Sequence, residues 1–211
     1  VTIEAPNGSL QILTSYGVGV SLSGNGSTFT NNGTMFSVSN STIGVYATAP
    51  RFNRVSSITN NSQMTGFAYG ILNTGDVETI TNSGSITGSL VYYASVYAIY
   101  NSGYITNLVN QGTVNGVNGI RNTTGTIINL TNSATANLSP ISNVNAGLIV
   151  TFNNGQGGTV NPGVNYSGTH PTNYNIIVSS SSYYGQVVVT SGTGSTSFGI
   201  NAASSITTKL Y

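Results

Sequence analysis

Asparagine recurs in this chain at two fixed phases of one repeat, and that recurrence restricts the fold more than any other feature. Residues 70–88, GILNTGDVETITNSGSITG, hold two copies of one phrase: apolar, any, Asn, any, Gly, any, apolar. The first copy is centred on Asn73 and Gly75, the second on Asn82 and Gly84. The pair returns as IYNSGYITNLVNQGTV, on Asn101 and Asn110, and as IRNTTGTIINLTN, on Asn122 and Asn132. The first phase reads Asn31, position 51, Asn73, Asn101, Asn122 and Asn143, in steps of 20, 22, 28, 21 and 21. The second reads Asn40, Asn60, Asn82, Asn110, Asn132 and Asn153, in steps of 20, 22, 28, 22 and 21. Both markers give the same period and lengthen at the same place. Only Arg51 stands where an Asn is expected.

A third marker, an apolar residue followed by Gly, appears at Ile43-Gly44, Met64-Thr65-Gly66, Ile86-Thr87-Gly88 and Val114-Asn115-Gly116. Each unit therefore has three short apolar runs and three polar corners. Asn and Gly tolerate left-handed backbone angles, which suits a corner between short strands. A β-sandwich with regular turns would not require Asn at the same two phases throughout. Short runs that bury their apolar residues only against neighbouring copies are the mark of a solenoid. The expected fold is all-β: a right-handed parallel β-helix (β-solenoid) with coils of about 21 residues and an irregular C-terminal region. At that period the chain would hold nine or ten coils, stacked about 4.8 Å apart. In-register stacking would place Asn73, Asn101 and Asn122 in one amide ladder, and Asn82, Asn110 and Asn132 in another.

The solenoid is expected over residues 1–160, with an insertion near 89–97. Between Gly88 and Ile99 lies SLVYYASVYA, which carries Tyr92, Tyr93 and Tyr97. These tyrosines would form a binding protrusion, or a wider coil packed back on the body. Pro162, His170 and Pro171 interrupt the phrase, so 161–211 reads as closing coils or a capping hairpin of the same domain.

Asn, Ser, Thr and Gly fill 113 of 211 positions, and seven residues are charged at neutral pH: Arg51, Arg54, Arg121, Lys209, Glu4, Asp76 and Glu78. Four scattered cations cannot neutralise a row of phosphates, so nucleic acid is not an expected partner. A polybasic membrane contact fails for the same reason. Apolar residues alternate with Ser, Thr and Asn along the whole chain, which argues for strands and against a low-complexity linker. Cysteine is absent, so disulfides and thiolate metal sites are excluded. No apolar run approaches the roughly 18 residues of a membrane-spanning helix, and no membrane insertion is expected. No charged start followed by an apolar stretch is present, so an exported protein would be in its mature form.

Chemistry-bearing residues are few. Asp76 and Glu78 are two apart, on one face if their run is a strand, and could do acid–base work with a basic partner such as Arg121. Glu4 is more than three coils away. His170 and Asp76 are too far apart in sequence to suggest a triad, and His170 reads as a loop histidine. Three acids are too few for a strong calcium site, and GQGG at 155–158 lacks the Lys and helix of a phosphate loop. The expectation is a non-enzymatic structural or adhesive solenoid with no catalytic residues, metal or cofactor. A carbohydrate-active enzyme using Asp76 and Glu78 is the alternative.

The phrases GILNTGDVETITNSGSITG, AIYNSGYITNLVNQGTVNG and GIRNTTGTIINLTNS resemble the passenger repeats of bacterial autotransporters, the type V secreted surface proteins. NYNIIVSSSSYYGQVVVTSGTGSTSFGI looks like the segment that precedes the translocator barrel in some of them. The resemblance implies Gram-negative export, a parallel β-helix and a place outside the cell or on its surface. It implies work in adhesion, aggregation or surface structure, here without the C-terminal barrel. Two partners follow as expectations. One is a glycan or other cell-surface ligand on a flank or on the Tyr92–Tyr97 insertion. The other is a second copy stacked head-to-tail, because the coil ends carry no charge beyond Glu4 and Lys209 to block their strand edges.

Overall fold

The computed structural model describes residues 9–12, 17–37, 43–88, 96–159 and 161–205. The chain winds repeatedly through three sheets, A, B and C, in that order. The first coil is β1 (Ser9–Ile12), β2 (Val18–Leu22) and β3 (Thr28–Asn31); the second is β4 (Thr34–Ser37), β5 (Ile43–Ala47) and β6 (Val55–Asn60). Next come β7 (Gln63–Gly66), β8 (Tyr69–Asn73) and β9 (Asp76–Asn82), then β10 (Ser85–Gly88), β11 (Tyr97–Asn101) and β12 (Tyr104–Asn110). They are followed by β13 (Thr113–Asn115), β14 (Asn118–Thr123) and β15 (Thr126–Asn132), and by β16 (Asn137–Leu138), β17 (Ile141–Val144) and β18 (Leu148–Asn154). The last strands, β19 (Val164–Thr169), β20 (Asn173–Ile176), β21 (Val187–Thr193) and β22 (Ser197–Ile200), alternate between sheets B and C only.

This is a β-solenoid of about seven turns, with coils about 24 residues apart and no helix among the described residues. Among the described residues, sheet A has six strands and sheets B and C have eight each. All named pairings are parallel, and among the described residues a single antiparallel bridge joins Val178 to Tyr184. The coils are longer and fewer than a 21-residue period implies, because corners take up extra residues. Seven residues, 48–54, join β5 to β6, where two suffice at 74–75, 102–103 and 124–125.

The core is a set of columns along the axis, each strand giving its inward residue to the one above. Sheet A supplies Met35, Met64, Ile86, Val114 and Leu138; sheet B supplies Val45, Ile71, Ile99, Ile120, Ile141 and Tyr166. Sheet C supplies Phe29, Ile58, Ile80, Leu108, Leu130, Phe152 and Tyr174. β-Branched and large apolar side chains suit such a column because each sits on the pleat and touches its equivalents above and below.

Two amide ladders run beside these columns. In one, Asn31, Asn60, Asn82, Asn110 and Asn132 each donate Nδ2 to the Oδ1 of the next member, ending on Asn154, at 2.7 to 3.0 Å. In the other, Asn73 donates to Asn101, Asn101 to Asn122 and Asn122 to Asn143, at 2.8, 2.7 and 2.8 Å. The register differs from the sequence reading at three points. Asn31 belongs with Asn60, not with Asn73; Ala47, not Arg51, holds the place opposite Asn73; and Asn154, not Asn153, follows Asn132. Ile43-Gly44 likewise lies in sheet B opposite Tyr69, not in the Met64 column. Asn40 lies outside the described residues, as do Glu4 and Lys209.

The corner glycines work differently from the expectation too. Gly75, Gly84, Gly103 and Gly112 do not have positive φ; glycines with positive φ are Gly26, Gly157, Gly158, Gly168 and Gly194. They are needed for close approach. A Cβ on Gly84 would strike the carbonyl oxygen of Ser62 one coil below, and one on Gly112 would strike that of Gly84.

Sheet A ends at β16, and Gln156 closes it. Its Oε1 accepts from the Leu138 amide at 2.6 Å and from Asn132 Nδ2 at 3.0 Å. Its Nε2 donates to the Leu138 carbonyl at 3.4 Å and the Pro162 carbonyl at 3.2 Å. One buried side-chain amide thus takes the place of a neighbouring strand.

Candidate functional site

Three places gather the residues that sequence reasoning singled out or missed. The first is the enlarged corner at 48–54. Pro50 to Asn53 form a tight turn, with the Asn53 amide donating to the Pro50 carbonyl at 2.7 Å. Arg51 and Phe52 occupy its tip, and Phe52 is 94% exposed. Arg51 lies over the Tyr104 ring, its Cζ 5.7 Å from the centroid, a cation–π contact that orients the guanidinium. Arg54 meets Asp76, Nη2 to Oδ2, at 3.5 Å. Asp76 is 1% exposed, and its Oδ1 has no hydrogen-bond partner among the described residues. A buried carboxylate is costly without a partner, which accounts for the pairing with Arg54. An open groove of about 510 Å³ runs between this turn and the next corners, lined by Thr48, Thr74, Asp76, Tyr104 and Thr126.

The expected pairing of Asp76 with Glu78 is absent from this arrangement. Asp76 is buried at the start of β9 and Glu78 is exposed. Arg121 is on β14, in a different sheet, with its Nε donating to Thr123 Oγ1 at 3.2 Å. Asp76 and its neighbour Val77 are both buried at the start of β9, so strict alternation does not hold there.

The second place is a tyrosine cluster on sheet B. Tyr97 stacks on Tyr69, with centroids 6.2 Å apart, and packs against Tyr100 at 5.8 Å. Arg121 lies over the Tyr97 ring at 5.2 Å. Burial, with the neighbouring phenols Tyr100 and Tyr97, pushes the Tyr69 hydroxyl above its ordinary value. Tyr97 is only 6% exposed and begins β11. It is a packed strand residue, not part of a protrusion, because the strand register places it opposite Tyr69. Tyr92 and Tyr93 lie outside the described residues.

The third place is the C-terminal end of the stack. Phe152, Tyr174 and Phe198 from sheet C face Tyr166, Val187 and Val189 from sheet B around an apolar cavity of about 190 Å³. Phe198 is 75% exposed, Ile200 63% and Val189 49%. The opposite end differs, since Leu22 and Phe29 of the first coil are buried. His170 lines the same cavity at the corner between β19 and β20. Its Nδ1 is 3.1 Å from the Gly194 carbonyl, and its Nε2 is buried without a partner among the described residues. It is nowhere bonded to Asp76.

Sequence reasoning missed Phe52, Gln156 and Phe198. Arg51 departing from the Asn phase directly after Pro50 was the available signal for the first. The other two had none, since their roles depend on where each sheet stops. Among the described residues, no group of three or more His, Asp or Glu side chains could hold a metal ion. No family model matches the sequence, and searches of curated proteins and of solved structures find no match either.

Proposed function

We propose that the chain is a non-enzymatic, extracellular structural β-solenoid that associates end-to-end, in the manner of a surface-fibre or adhesin passenger. The observation that carries this reading is the apolar surface on the outermost described strands of sheets B and C, β21 and β22. Val189, Phe198 and Ile200 are exposed there beside a lined apolar cavity, the kind of surface that natural proteins ordinarily cover or block. β21 and β22 are the last described strands of sheets B and C, and β2 and β3 are the first. A second copy placed head-to-tail would continue both sheets in parallel, and a contact of that kind repeats into a filament. With only seven charges on the chain, little repulsion opposes close association. The likeness of the repeat to autotransporter passengers supports export to the cell surface, and the solenoid is consistent with it.

The carbohydrate-active alternative draws less support, since Asp76 is buried and paired while Glu78 and Arg121 point elsewhere. The deciding experiment is electron microscopy with sedimentation of the purified chain over a range of concentrations. Rods that lengthen with concentration are expected, and Phe198→Asp should shorten them to single units. Monodisperse short rods at every concentration would end the fibre reading.

A further inference from the structure

Insertions into a solenoid fall on corner loops, and such loops commonly carry binding residues. The corner at 48–54 is such an insertion, five residues longer than the two-residue corners that follow it in the same column (seven minus two). It also gathers three of the chain's seven charged residues, Arg51, Arg54 and Asp76. We propose that this corner is a binding site for an acidic saccharide, with Arg51 holding a sugar carboxylate and Phe52 covering a pyranose face.

Each part follows from the geometry. Arg51 is exposed, fixed over the Tyr104 ring and has no carboxylate of the described residues as an ion-pair partner; the ion pair of this corner is Arg54 with Asp76. A planar guanidinium matches a carboxylate through two parallel hydrogen bonds. Phe52 stands on a turn whose backbone is hydrogen-bonded across its base, so an exposed ring is held outward at small entropic cost. The C–H face of a pyranose can cover that ring as apolar surface. The groove beneath supplies Thr48 and Thr126.

The charge balance narrows the ligand. Arg51 and Arg54 face Asp76, and the exposed Glu78 follows two residues along β9, so the corner has no net excess of cations. A polyphosphate or nucleic acid needs several clustered cations. One carboxylate per sugar unit needs a single guanidinium.

The variants below lie in the second coil and Phe198, which tests the fibre reading, on the last described strand of sheet C, so failure of this proposal and failure of the fibre reading are distinguishable. Calorimetric titration of the full chain with hexagalacturonate is the test, beside a neutral galactose hexasaccharide and a hexaglutamate peptide. Hexagalacturonate should bind, and the other two at least about tenfold more weakly. Arg51→Gln and Phe52→Ala should each weaken binding at least about tenfold, and both variants should still unfold cooperatively, since both side chains are exposed. Absence of binding, equal binding of the neutral sugar or the peptide, or wild-type affinity in either variant would overturn the proposal.

Discussion

At Asn82 one side chain joins three coils. Its Oδ1 accepts from Asn60 at 2.8 Å, and its Nδ2 donates to Asn110 at 2.8 Å and to the Thr113 carbonyl at 2.9 Å. Asn82→Ala leaves buried polar groups of its neighbours unpaired, at a cost of about 1–3 kcal/mol each, measurable by chemical denaturation. Asn61→Ala removes an exposed Asn61–Asn32 bond of the same 2.8 Å length and should change stability by no more than about 0.5 kcal/mol. The periodic Asn residues were legible in the sequence because ladder positions recur at coil spacing. The reason for their glycine companions was not, since backbone approach between coils leaves no mark on one phrase. Gly84→Ala should destabilise by about 1–3 kcal/mol through overpacking against Ser62, although φ there is ordinary. Burial pushes the Tyr166 and Tyr174 phenols above their ordinary value of 10.0. Below that value both folded and unfolded chains keep these protons. Above it the unfolded chain ionises first, so stability should fall as pH rises past 10.0. Tyr166→Phe should flatten that fall in denaturation curves taken at pH 9 and 11.

The strands themselves could be read from alternation, and most neighbours follow from the two phases. Errors cluster where a corner is enlarged. The 48–54 junction adds residues that shift β5 against β8, so Arg51 fell by coincidence near the Asn spacing while Ala47 took the slot. Sheet A's end was illegible for another reason: Gln156 replaces a strand with a side chain, and no periodic signal accompanies that. Gln156→Ala should free both polar backbone groups of Leu138. Amide exchange at Leu138 should then speed markedly while Leu130, inside sheet C between β12 and β18, stays protected.

For the whole molecule, stability is held by columns of apolar side chains and neutral amides, with a single ion pair among the described residues. Its thermal midpoint should therefore move little between low and high sodium chloride, unlike that of a protein resting on exposed charge pairs. If ends associate, that midpoint should rise with protein concentration, and Phe198→Asp should abolish the rise.

Every ladder amide donates in the same direction, from N-terminal coil to C-terminal coil. Aligned amide dipoles add, and hydrogen-bonded chains polarise one another. A particle with a formal net charge of +1 thus gains an axial moment from its two ladders, positive toward the C-terminal end and partly offset by the reversed Asn61–Asn32, Asn129–Asn107 and Asn175–Asn153 bonds. Such a particle would orient in an applied field, and transient electric birefringence would give its sign and size. If copies stack end-to-end, the same moment favours units that add facing one way.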